Sequence, residues 1–226
     1  MSAVPRFRTR PSHGDRGSDA VEDAQADAGL GAALDADVCG IALDGRCFAY
    51  VFPCQWEDHC KIGFSRDPLD RIAALHPRWF DFFCLERGAL VQAESVRDAR
   101  DLELELRAGL RAHNAPPPSA VRVQAGGGSE WFRGIEAAMQ ARVQALAARG
   151  YRTWPLHAWL RAALARRRDG LHEWSLAQLH VDELEGRTGP TPAQRRLRDA
   201  LDAFAALDLA PEPCLPAAVL AWYRRG

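Results

Sequence analysis

Lysine is almost missing from this chain: Lys61 is the only one, and every other cationic side chain is an arginine. An excess of positive charge is missing too, since 29 Lys and Arg face 30 Asp and Glu for a formal net charge of −1. That balance excludes the histone-like mode, in which overall basicity holds a nucleic acid, but leaves a local cationic cleft open. Long apolar runs are absent. No stretch approaches the ~18 uninterrupted apolar residues of a membrane span, and the N-terminus lacks an apolar signal core. The expected location is therefore cytoplasmic, with no membrane partner. The six cysteines (Cys39, Cys47, Cys54, Cys60, Cys84, Cys214) include no CxxC pair. Free thiols in a reducing compartment are expected, because Cys54, His59 and Cys60 lack a second ligand pair at zinc spacing.

What is present is enough apolar material for a core: 226 residues, 47% hydrophobic and 26% charged, suit one medium domain or two small ones. Residues 1–38 run from a basic start (Arg6, Arg8, Arg10, Arg16) into an acidic, alanine-rich stretch. They are expected to be a disordered tail, having too few large apolar side chains to offset the entropy of ordering. Residues 39–150 read as an α+β domain. Arg46–Phe52 (RCFAYVF) is a β-favouring run ended by Pro53, and Cys60–Phe64 (CKIGF) a second strand, which together suggest a hairpin. Asp67 and Pro68 then stand at the N-cap and first position of a helix carrying Leu69, Ile72 and Leu75. A third strand is expected over Phe82–Val91. A helix follows over Val96–His113, capped by Ser95 with Asp98, and another over Ile135–Arg149. The expected architecture is thus a small three-stranded antiparallel sheet flanked by helices. Residues 151–226, with Trp154, Trp159, Trp174 and Trp222 among arginine-rich segments, read as a helical extension, and Thr191, Pro192 and Gln194 mark one helix start in it.

The segments FAYVF, KIGFSRDPLDRIAAL, an acidic helix and SEWF, in that order, resemble the GIY-YIG nuclease superfamily. The likeness is to the branch named for a phage open-reading-frame DNA-binding domain, whose second motif usually reads KIG. It covers about 90 residues, roughly Cys47 to Arg133. Tyr50 falls at the tyrosine of the first triplet, Lys61 with Ile62 and Gly63 at the second triplet, and Arg71 at the family's helical arginine. The resemblance implies a metal-dependent endonuclease acting on DNA. Glu103 would hold Mg²⁺ or Mn²⁺, Arg71 would steady the phosphoryl oxygens, and Tyr50 would activate or orient the water.

Those roles suit the chemistry. Phosphodiester hydrolysis needs a metal to polarise the phosphate, a base for water and a cation for the crowded negative charge. Magnesium is commonly held by one carboxylate, waters and the substrate phosphate. Glu103 also attracts notice without the motif. On a helix it shares a face with Ala99, Leu106 and Leu110, where a carboxylate needs a metal or an arginine as partner unless it sits at the edge of the face and reaches water. Arg71 taken alone reads as a helix arginine paired with Asp67 at i, i+4. Two departures from the family matter. Lys61 stands where many members carry a tyrosine, and a lysine is cationic unless its surroundings lower its pKa. Either Tyr50 alone handles the water, or His59 contributes, or catalysis is weak or absent. The asparagine that often follows the glutamate is replaced by Asn114 at most, whereas Glu130, Trp131 and Phe132 supply the EWF of the KIG branch and make Glu130 a possible second acid. The arginines at 166–168 and at 195, 196 and 198 are read as solvated helix faces, or else as phosphate contacts. Two alternatives to the enzyme stand: a non-catalytic DNA-binding module, favoured by Lys61, and a protein-interaction adaptor working through the tryptophan-rich C-terminal helices.

Overall fold

A computed structural model describes residues 43, 46–122 and 128–225. The tail expected over 1–38 and most of the glycine turn at 125–128 lie outside the described residues. The chain is α+β, built on one open antiparallel sheet of six strands. Its centre is the expected hairpin, β1 (Cys47–Pro53) and β2 (Cys60–Ser65), in a register that sets Tyr50 opposite Gly63 and Phe52 opposite Lys61. Every residue of β1 is buried. Alternation sends Phe48, Tyr50 and Phe52 to one face and Cys47, Ala49 and Val51 to the other, so the strand must be covered on both sides.

The three-stranded expectation was too small. β3 (Ala89–Ala93) lies on the other side of β1, followed at that edge by β6 (Thr153–Pro155). Beyond β2 come β5 (Trp131–Phe132) and β4 (Asn114–Ala115). The added strands are two or three residues long, too short to carry a period-two signal. Position changed as well as number. Trp79–Phe82, where the third strand was expected to begin nearby, is a helical turn (α2), and the third strand starts only at Ala89. Phe83 is held instead by an isolated bridge to Cys54.

Helix α1 (Pro68–Leu75) opens as expected, with the Asp67 side chain accepting the N–H of Asp70 at 3.0 Å and Pro68 at its first position. Helix α3 (Val96–Arg107) is capped by Ser95, which accepts the N–H of Asp98 at 3.1 Å. It ends six residues before the expected His113, because the chain turns at Gly109 with φ 73°, a left-handed conformation costly for other residues; Arg111–His113 form a separate 3₁₀ turn.

Helices α3 and α4 (Glu136–Ala148) cover one face of the sheet through Ala99, Leu102, Leu106, Met139 and Leu146. On the other face α1 brings Leu69, Ile72 and Leu75, and α5 (Leu156–Ala165) brings Leu156, Trp159 and Leu160. Trp159 meets Phe48 edge-on, ring centres 5.2 Å apart. Helices α6 (Leu171–Leu176), α7 (Val181–Leu184), α8 (Pro192–Ala206) and α9 (Ala217–Arg224) extend this second core, and Thr191 with Gln194 forms the capping box of α8. Residues on both sides of position 150 therefore share the sheet through β6 and share one core. Arg167 adds a polar tie, donating to Asp67 and Asp70 of α1 at 3.0 Å each. No described helix is long and apolar enough to cross a membrane.

Candidate functional site

The hairpin points Tyr50 and Lys61 to the same side of the sheet. Each is in the core: Tyr50 is 1% exposed and Lys61 fully covered. Tyr50 stacks on Phe52 (4.1 Å between centroids) and lays its ring across Gly63, where a Cβ would stand only 2.6 Å from the phenol Cζ. The glycine of KIG is thus required by a neighbouring side chain rather than by its backbone. Arg71, one turn into α1, donates from Nε to the Tyr50 hydroxyl at 2.9 Å. The expected i, i+4 pairing of Arg71 with Asp67 is not what positions it, since Asp67 takes Arg167 and the helix N-terminus.

Two acids complete the group. Glu103 lies on the buried side of α3, 4% exposed, in line with its expected place beside Ala99 and Leu106. Arg107, one turn later, donates to Glu103 Oε1 at 2.6 Å and from the same Nη1 to Glu130 Oε1 at 3.2 Å. The other oxygen of Glu130 accepts Lys61 Nζ at 2.9 Å, while Lys61 also donates to the Ser129 carbonyl at 2.6 Å. A continuous chain of alternating charge results: Glu103, Arg107, Glu130, Lys61. Glu130 takes this position with a left-handed backbone, φ 62°, which is strained for a residue with a side chain.

The fields of these groups overlap. Burial raises the Tyr50 phenol above its ordinary pKa against the charge and hydrogen bond of Arg71, and Glu130 and Glu103 push the same way as burial. Tyr50 is therefore a neutral phenol at neutral pH. Its oxygen accepts from Arg71 Nε at the edge of the core. Burial lowers the Lys61 ammonium, opposed by Glu130. Burial would raise Glu130, but the hydrogen bond and charge of Lys61, with Arg107 and Arg71, hold it below the usual carboxylate range.

The structure thus brings Tyr50, Lys61, Arg71, Glu103 and Glu130 into one electrostatic group. It does not bring the other two candidates there. The ring of His59 sits edge-on to Trp131, with Nδ1 buried, 3.1 Å from the Glu57 carboxylate but not aligned for a hydrogen bond. Asn114 is exposed and opposite Phe132, a register that turns it to the face away from Lys61 and Trp131. Arg107 was missed in the sequence, although its i, i+4 spacing from Glu103 was a usable signal. The Ser129 carbonyl had no signal at all.

Several C-terminal arginines and tryptophans have internal partners. Arg167 binds Asp67 and Asp70, Arg198 lies over Trp222, and Trp159 and Trp222 are buried. Among the described residues no group of three or more His, Cys, Asp or Glu side chains is placed to hold a metal by itself. Glu103 and Glu130 do direct one oxygen each at a single cationic nitrogen. That donor set suits a hard cation completed by water and phosphate. Compared with known proteins, the chain matches no family model, no curated protein and no solved structure.

Proposed function

We propose that the chain hydrolyses phosphodiester bonds in DNA with a divalent cation, Mg²⁺ or Mn²⁺, in the manner of the GIY-YIG nucleases it resembles. The observation that carries this reading is the Tyr50–Arg71 contact beside the paired acids Glu103 and Glu130. Arg71 supplies fixed positive charge for the phosphoryl oxygens, which gain negative charge as water adds and the ester oxygen leaves. Tyr50 would donate a hydrogen bond to the attacking water's oxygen or to the phosphate, and so orient rather than deprotonate; the water's proton would pass to a phosphate oxygen and from there to the leaving ester oxygen. Glu103, with Glu130 beside it, would hold the metal, whose chemistry is to polarise the phosphate. Lys61 keeps Glu130 in place and balances its charge; it stands where a tyrosine would, without doing a tyrosine's chemistry.

The test is plasmid nicking with Mg²⁺ or Mn²⁺, wild type beside Glu103→Ala and Arg71→Ala. Each substitution is expected to lower the rate by about a hundred-fold or more. A second reading, a DNA-binding module without cleavage, draws on the fact that both acids already carry protein cations. Salt-dependent DNA binding with no nicking by the wild type would favour it. No salt-dependent binding at all would remove both readings and leave the adaptor.

A further inference from the structure

One nitrogen, Arg107 Nη1, is shared by Glu103 Oε1 and Glu130 Oε1 at 2.6 and 3.2 Å. The two acids are fixed by other means. Glu103 is held by its burial on α3, and Glu130 by Lys61 on its second oxygen and by its left-handed backbone. Arg107 is different: its side chain is 33% exposed and it stands on the last turn of α3. The point of convergence is therefore set by the acids and filled by a long side chain that can swing outward. A hard divalent cation needs the same anionic oxygens at shorter range, about 2.0–2.6 Å for magnesium or calcium.

We propose that Arg107 is an internal counter-ion that competes with the divalent cation for Glu103 and Glu130 and is displaced toward solvent when the cation enters. The proposal rests on the reading of Glu103 as a metal-holding acid and adds regulation of that same site. While Arg107 is in place its charge and that of Lys61 balance the two carboxylates, whose positions are already set, so the site is organised before any cation arrives. Metal affinity is correspondingly weakened, because binding must first break two ion pairs.

The test is calorimetric titration of Mn²⁺ into the full chain at fixed pH and ionic strength, for wild type, Arg107→Gln, Arg107→Lys and Glu103→Gln, each first shown to unfold cooperatively. Arg107→Gln is expected to bind on the order of ten-fold more tightly, the scale of losing a partly exposed ion pair. Arg107→Lys, which keeps a cation, should stay near wild type, and Glu103→Gln should lose the binding. Unchanged or weaker binding by Arg107→Gln, with binding still lost in Glu103→Gln, overturns the counter-ion role and leaves the metal reading standing. Absence of saturable binding in every protein, or binding indifferent to Glu103→Gln, overturns both.

Discussion

Glu130 carries a backbone conformation that costs about 1 kcal/mol, and in that conformation its carboxylate meets both Lys61 and Arg107. Strain of this kind persists only where surrounding contacts over-determine it, here an ammonium with no solvent exposure of its own. Glu130→Gln leaves that ammonium with the Ser129 carbonyl and a neutral amide. It should cost about 2–3 kcal/mol in urea unfolding at pH 7, below the full cost of breaking a buried pair because Glu130 is partly exposed. The sign with pH follows from the depressed carboxyl of Glu130. Its stabilisation is fully present above the pKa of an unfolded glutamate and fades as pH falls through the lower folded value. The gap between wild type and Glu130→Gln should therefore narrow below about pH 4. A gap that stays constant down to pH 2 would speak against the ion pair as its cause.

The hairpin positions the site through one close approach between its strands. Gly63 leaves room for the Tyr50 ring directly across from it, and the ring's position delivers the hydroxyl to Arg71. Gly63→Ala would force the phenol aside or part β1 from β2. It should destabilise by about 1–3 kcal/mol, as overpacking does, and break the Tyr50–Arg71 contact, with loss of the nicking proposed above. The two positions should be coupled: in a Tyr50→Leu background the cost of Gly63→Ala should shrink by at least about 0.5 kcal/mol. Additive costs would mean that the two side chains do not compete for the same space. The KIG triplet was legible as a strand next to a hairpin loop. The need for its glycine was not, because it comes from a residue thirteen positions earlier that only strand pairing brings close.

At the scale of the molecule, the segment after Gly150 belongs to the same core as the hairpin. β6 closes one edge of the sheet, and Leu156, Trp159 and Leu160 cover the face that carries Phe48 and Phe52. Truncation after Gly150 should expose that face and abolish cooperative thermal unfolding, measured by circular dichroism. A fragment of residues 46–150 that melts cooperatively and nicks plasmid at the wild-type rate would show that the shared core is dispensable. With a formal charge of −1, the DNA binding proposed above would have to come from a local field. Binding should then weaken steadily with added salt, with a slope reflecting only a few phosphate contacts.

Local rules written into consecutive residues were readable from the sequence. The two hairpin strands, the caps at Asp67, Ser95 and Thr191, and the inward face of Glu103 depend on neighbours within about four positions, where propensity and periodicity act. The remainder depends on long-range pairing. Two-residue strands carry no period, and Phe83, expected in the third strand, makes only an isolated bridge to Cys54 while the strand itself begins at Ala89. Tertiary structure alone decided that Arg107, one helical turn from Glu103, would also reach Glu130, and that Lys61 would be paired with Glu130. The free energy of a buried charge depends on which opposite charge lies within a few ångströms, and the folded chain rather than its order sets that distance.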